Sequence, residues 1–197
     1  MSRMPAAVTW GLLAAWAVHD AEELATMAGW ARRARPRLER LYPGVPWERL
    51  EVSQARVNVA IGLMGGVVAG ASALGARSGG RSPVFQAVLA GFGLHGVVHL
   101  AQAAATRGYT PGVATAPLVV IPFSAWAWRR LRRAGVVAAP GRSAAYGLAA
   151  LPLTVGGVHA VAHLLTRRHD RAAEPSAAES SAAESSATDG LGRDRWF

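Results

Sequence analysis

The sequence predicts an all-α protein, an integral-membrane helical bundle of about five transmembrane helices. Three observations carry that expectation. Hydrophobic residues make up 51% of the 197-residue chain and charged residues only 17%. Four stretches contain no Asp, Glu, Lys or Arg over roughly 20 residues or more, the length a helix needs to cross the hydrocarbon of a bilayer. Glycine and alanine are abundant, a composition that suits close helix approach in lipid.

The elements follow in order. A first helix is expected over about residues 5–30; its N-terminus resembles a signal peptide but lacks an obvious small-residue cleavage site, so it reads as a retained helix. Residues 31–51, ARRARPRLERLYPGVPWERLE, are arginine-rich and broken by prolines, which predicts a surface segment at the headgroup boundary. The uncharged stretches predict spans over 57–76, 82–106, 108–128 and 143–166, with the turn RSGGRSP joining 57–76 to 82–106 and TRGYTPG joining 82–106 to 108–128. Together, residues 1–171 form the predicted transmembrane domain. Residues 172–197 hold SAAES twice in tandem without apolar periodicity, the composition of a disordered tail.

All 21 basic residues are arginine and the formal charge is +9. The arginines fall between apolar runs, which favours a juxtamembrane role and a multi-pass protein of the cell membrane over nucleic-acid binding. With five spans, eleven arginines fall on the face of the 31–51 loop and eight on the other, a bias towards a cytoplasmic C-terminus. The prolines Pro117 and Pro122 leave a re-entrant fourth segment as an alternative. There is no cysteine, so neither disulfides nor thiolate metal sites are available, and no phosphate loop or serine-nucleophile elbow occurs.

The informative residues are the ionisable ones inside the apolar runs. His19 begins HDAEE, His95 and His99 form LHGVVHL, and His159 and His163 form VHAVAHL. Positions i, i+3 and i+4 share a helix face, so His19 projects with Glu22 and Glu23, and each HxxxH pair presents two imidazoles together. Asp20 points off that face. All five histidines fall in the C-terminal halves of the odd-numbered helices, which run parallel in an up-and-down bundle and so place them at one depth, towards the arginine-rich face. Buried ionisable groups are costly in a membrane unless paired, and a divalent metal supplies the pairing. The predicted ligands are His19, Glu22, Glu23, His95, His99, His159 and His163, holding iron or zinc as one or two ions. Glu22 or Glu23 is also a candidate catalytic base, and Asn58 and Gln102 are candidate hydrogen-bonding partners behind the ligands. Haem fits less well, because histidines four residues apart rise only about 6 Å and two stacked haems would collide. The tryptophans Trp10, Trp16, Trp30, Trp126 and Trp128 read as interface anchors or packing, and Gly91, Gly93, Gly96, Gly156 and Gly157 as points of close helix approach.

HDAEE in the first span, followed by histidine pairs in later spans, resembles the HXXEE domain family of bacterial membrane proteins. The resemblance covers about residues 8–166, with His19, Glu22 and Glu23 at the motif's defining positions. It implies that these three residues matter and supplies no reaction or substrate.

The resulting expectation is a membrane metalloprotein acting as an enzyme on a lipophilic or membrane-embedded substrate, either a zinc hydrolase or a di-metal oxidase or hydroxylase. The rival classes are a metal-binding or transport protein without catalysis, and a structural protein whose histidines bond across helices.

Overall fold

Ala6–Leu41 forms one helix, α1, of 36 residues. At 1.5 Å per residue it is roughly 54 Å long, well beyond a hydrocarbon thickness of about 30 Å. The sequence predicted an end near Trp30, but the helix continues through Pro36. The stretch is rich in arginine, alanine, leucine and glutamate, all good helix formers, and Arg35 Nε donates to Glu39 Oε1 one turn on at 2.7 Å. Pro36 removes one donor, and Arg32, whose carbonyl loses it, is exposed to water.

The computed structural model describes residues 4–47, 53–137, 156–158 and 160–166, and every regular element among them is helical. Helix α2 spans Gln54–Arg77, with Ser53 as N-cap accepting from the Arg56 amide. Helix α3 spans Pro83–Ala105, with Ser82 as N-cap and Pro83 in the first turn, where its missing N–H costs nothing. Both are long and apolar enough to cross a membrane. Large apolar side chains, among them Leu63, Val67 and Leu74 of α2 and Val97, Val98 and Leu100 of α3, stay exposed on their outer faces.

The predicted fourth span over 108–128 is not one helix. Residues 106–114 run as turns and irregular backbone, a five-residue π-helical turn covers Ala116–Val120, and α4 covers Ile121–Arg133. The prolines explain this. Pro111 and Gly112 (φ 82°) break the helix start, and the wide turn, closed by the Ile121 amide on the Ala116 carbonyl, holds Pro117 near its start and is followed by Pro122. In the predicted fifth span, residues 156–158 and 160–166 are helical; its remainder, His159 and the 172–197 tail lie outside the described residues. The chain divides into units Met1–Ala162 and His163–Phe197.

Within the first unit, α1 packs on α2, α2 on α3, α3 on α4 and α4 back on α1, while α1 and α3 also meet across this ring. Val8, Leu12, Val68, Phe85, Leu89, Phe92, Val120 and Leu131 form the apolar core. Close approach is built in at Gly96, where a Cβ would stand 2.9 Å from Val120, and at Gly93, where it would meet Ser124 at 3.0 Å. Gly156 and Gly157 have no such neighbour among the described residues. Helices α1 and α3 run in the same direction: Met4 packs at Gly80, just before α3, and at the other end Tyr42 donates its hydroxyl to the Ala105 carbonyl at 2.9 Å.

Candidate metal centre

Helix α1 supplies His19 and Glu23, and α3 supplies His95 and His99, each pair one turn apart on the face turned to the other helix. His19 is fully buried, and His99 and Glu23 are nearly so. The three imidazoles stand edge to face, with interplanar angles of 87° for His19–His95, 73° for His19–His99 and 87° for His95–His99. Rings so inclined are not stacked.

His99 Nε2 lies 3.3 Å from His19 Nε2, 2.8 Å from His95 Nε2 and 3.4 Å from Glu23 Oε1. One ligand atom from each residue can be chosen so that all four lie within 4.8 Å of one another, a group able to hold a metal ion. His99 Nε2 carries either one hydrogen or one lone pair and so forms one full hydrogen bond among these three neighbours, whereas a cation at the centre can draw a lone pair from all four groups. A tetrahedral ion about 2.05 Å from its ligands sets ligand separations of roughly 3.3 Å, close to two of the three contacts. The donor set, imidazole nitrogen with one carboxylate oxygen, suits zinc or iron.

A second layer fixes this arrangement. Thr115 Oγ1 stands 2.7 Å from His19 Nδ1 and donates to Glu22 Oε2 at 2.6 Å. A carboxylate only accepts, so the threonine hydrogen goes to Glu22 and its lone pair takes the hydrogen of His19 Nδ1. That assigns the His19 tautomer, leaving the Nε2 lone pair facing the cluster. Glu22 further accepts from the Thr115 amide at 2.8 Å, the Ala114 amide at 3.2 Å and the Tyr109 hydroxyl at 2.6 Å. Burial, together with the hydrogen bond to Glu22, raises the Tyr109 phenol above its ordinary pKa, so it stays a donor. Trp30 Nε1 donates to the Tyr109 carbonyl, pinning the same loop from α1. Gly112 closes the centre: a Cβ there would stand 2.7 Å from Cε1 of both His19 and His99. His99 Nδ1 is buried beside the Pro111 carbonyl without a well-formed hydrogen bond.

Of the residues singled out in the sequence, the structure thus brings His19, Glu23, His95 and His99 together. Glu22, although on the same helix face, turns to the 109–115 loop. Asn58 is exposed and accepts from Gln54 Nε2 at 2.8 Å, and Gln102 is exposed on α3. Asp20 is buried next to Glu23. His159 lies outside the described residues, and His163 belongs to the second unit. Sequence reasoning missed Thr115, Tyr109 and Gly112. The available signal was three hydroxyl side chains, Tyr109, Thr110 and Thr115, inside an otherwise apolar segment.

A family model described as a protein of unknown function with HXXEE motif matches residues 10–127, more than half of the chain. That stretch includes every residue of the cluster and of the layer behind it. No curated protein and no solved structure matches the chain.

Proposed function

The chain belongs to the HXXEE family, and from the geometry of its His/Glu cluster we propose that it is an integral-membrane metalloprotein in which His19, Glu23, His95 and His99 hold one divalent ion. The observation that carries this reading is the convergence of three imidazoles and a carboxylate within 4.8 Å, with one nitrogen facing three potential ligand atoms. Glu22 acts from behind, holding Thr115 against His19. The ion is zinc or iron, and the protein is a metal-dependent enzyme for a lipophilic or membrane-embedded substrate. A bound ion of this kind polarises an oxygen of the substrate or supplies an activated water. Burial of His19 and the Gly112 backbone over the imidazoles favour a resident ion over one in transit. The apolar outer faces of α2 and α3 support a multi-pass location in the cell membrane.

The test is the metal content of protein purified without a histidine tag. About one equivalent of zinc or iron is expected, lost in His95→Ala and His99→Ala. Protein that holds no stoichiometric metal, even after loading with zinc or ferrous iron, overturns the reading.

A further inference from the structure

At the end of the bundle away from the histidines, three arginines border one cavity. Arg77 closes α2, Arg81 lies in the turn to α3, and Arg133 closes α4; with Met4, Trp10 and Val136 they line a space of about 1030 Å³. Trp10 precedes His19 by nine helical residues, so the cavity lies roughly 14 Å or more from the metal centre along α1.

The cavity is built by buried structure. Gln86, fully buried, donates from Nε2 to the Gly80 carbonyl at 2.8 Å and to the Val136 carbonyl at 2.9 Å. One amide therefore ties the turn that carries Arg81 to the segment that follows Arg133. Beneath the first turn, Gly80 sits directly on Leu131 and Met4.

Among the described residues its charge is uncompensated. The carboxylates among the described residues are Asp20, Glu22, Glu23 and Glu39, all on α1 and all from the level of the histidines onward. None pairs with Arg77, Arg81 or Arg133 among the described residues. Arg77 and Arg133 complement the negative ends of their own helix dipoles, but Arg81 lies outside any helix and has no such partner. The level of the cavity is informative too. It lies where α2 ends and α3 begins, the two helices apolar enough to cross a membrane, hence where hydrocarbon gives way to headgroups. Trp10, 45% exposed on the rim, is the residue type that anchors at that boundary. Leu74 and Val84, both exposed, continue an apolar surface from α2 and α3 next to it.

We propose that this cavity binds the phosphate of an anionic phospholipid, with the three guanidinium groups around the phosphate and the acyl chains along the outer faces of α2 and α3. Planar guanidinium groups match phosphate oxygens in pairs, and the apolar neighbours select an amphiphile over a free anion. The proposal rests on the membrane reading of α2 and α3, which is tested separately: release of the protein from membranes by alkaline carbonate removes that reading whatever the cavity binds.

The binding experiment uses the full chain in detergent, titrated with phosphatidylglycerol or phosphatidylcholine carrying brominated acyl chains, with tryptophan quenching as readout. A Trp10→Phe variant identifies the reporter. Phosphatidylglycerol is expected to quench at concentrations at least about tenfold lower than phosphatidylcholine. Arg81→Gln is expected to weaken phosphatidylglycerol about fivefold, the effect of one arginine at a headgroup, while Arg107→Gln leaves it unchanged. Circular dichroism confirms folding, and Arg77→Gln and Arg133→Gln read the same preference if Arg81→Gln does not fold. Equal quenching by the two lipids, or full retention of the preference in the arginine variants, overturns the proposal. Displacement of the lipid by inorganic phosphate at equal concentration assigns the cavity to free phosphate and overturns the lipid assignment.

Discussion

His19 Nδ1 and Thr115 Oγ1 lie 2.7 Å apart although 96 residues separate them in the chain. The contact sets which nitrogen of His19 faces the cluster, because Thr115 has already given its hydrogen to Glu22. Thr115→Val keeps the shape of the side chain and removes that acceptor. Metal affinity is expected to fall by about 10- to 100-fold, with Thr115→Ser close to wild type. Competition with a chelator measures it; unchanged affinity in Thr115→Val contradicts the assigned tautomer.

The two glutamates of HDAEE are expected to separate by experiment. Glu23→Gln loses the carboxylate that stands 3.4 Å from His99 Nε2 and with it stoichiometric metal. Glu22→Gln retains metal but turns an amide N–H₂ towards donors that it cannot satisfy, loosening the 109–115 loop by about 1–3 kcal/mol. Metal analysis paired with thermal unfolding distinguishes them, and metal loss of equal size in both variants contradicts the division.

Gly112→Ala tests the closure over the histidines. Its φ of 82° disfavours any L side chain, and the new Cβ would meet Cε1 of His19 and of His99 at 2.7 Å. Rigid rings cannot yield as a flexible chain end does. The variant is expected to lose about 1–3 kcal/mol of stability and most of its metal affinity. Gly62→Ala, inside α2 with open space around it, is the control and should be no less stable than wild type, because Ala favours a helix over Gly by about 0.5–1 kcal/mol.

Metal retention should also depend on pH. Each imidazole must be neutral to bind, so protons compete with the ion and affinity falls as pH drops. Apparent affinity is expected to decline as the pH is lowered into the range where the buried imidazoles take up protons. Titration of metal into the protein at several pH values checks this; a flat profile is inconsistent with three histidine ligands.

Much of the site was legible in the sequence because spacing on a helix fixes direction. HDAEE and LHGVVHL each put their donors on one face, and the parallel course of α1 and α3 follows from alternation about α2. What escaped was the role of Glu22, since i+3 and i+4 neighbours share a face while only one reaches a given point across it. The 109–115 loop escaped for another reason: Thr115 and Gly112 carry no periodicity that points to a partner on α1. The fold was misjudged where proline chemistry met apolar composition. Uncharged length alone predicted a span over 108–128, but Pro111, Pro117 and Pro122 deny it regular helical bonding. Pro36, on an exposed stretch of good helix formers, had the opposite outcome, so composition around a proline decides more than its presence.

The position of the cluster, where α1 and α3 meet across the helical ring, has a consequence for the order of assembly. The pairings α1–α2 and α2–α3 join neighbours in sequence, whereas the contacts that build the centre join residues 80 and 96 positions apart. Closing loops of that length must follow the local hairpins. Contact order therefore favours closure of both hairpins before the histidines meet, and an ion held there would act as a late clasp on a formed bundle rather than as a seed for its folding.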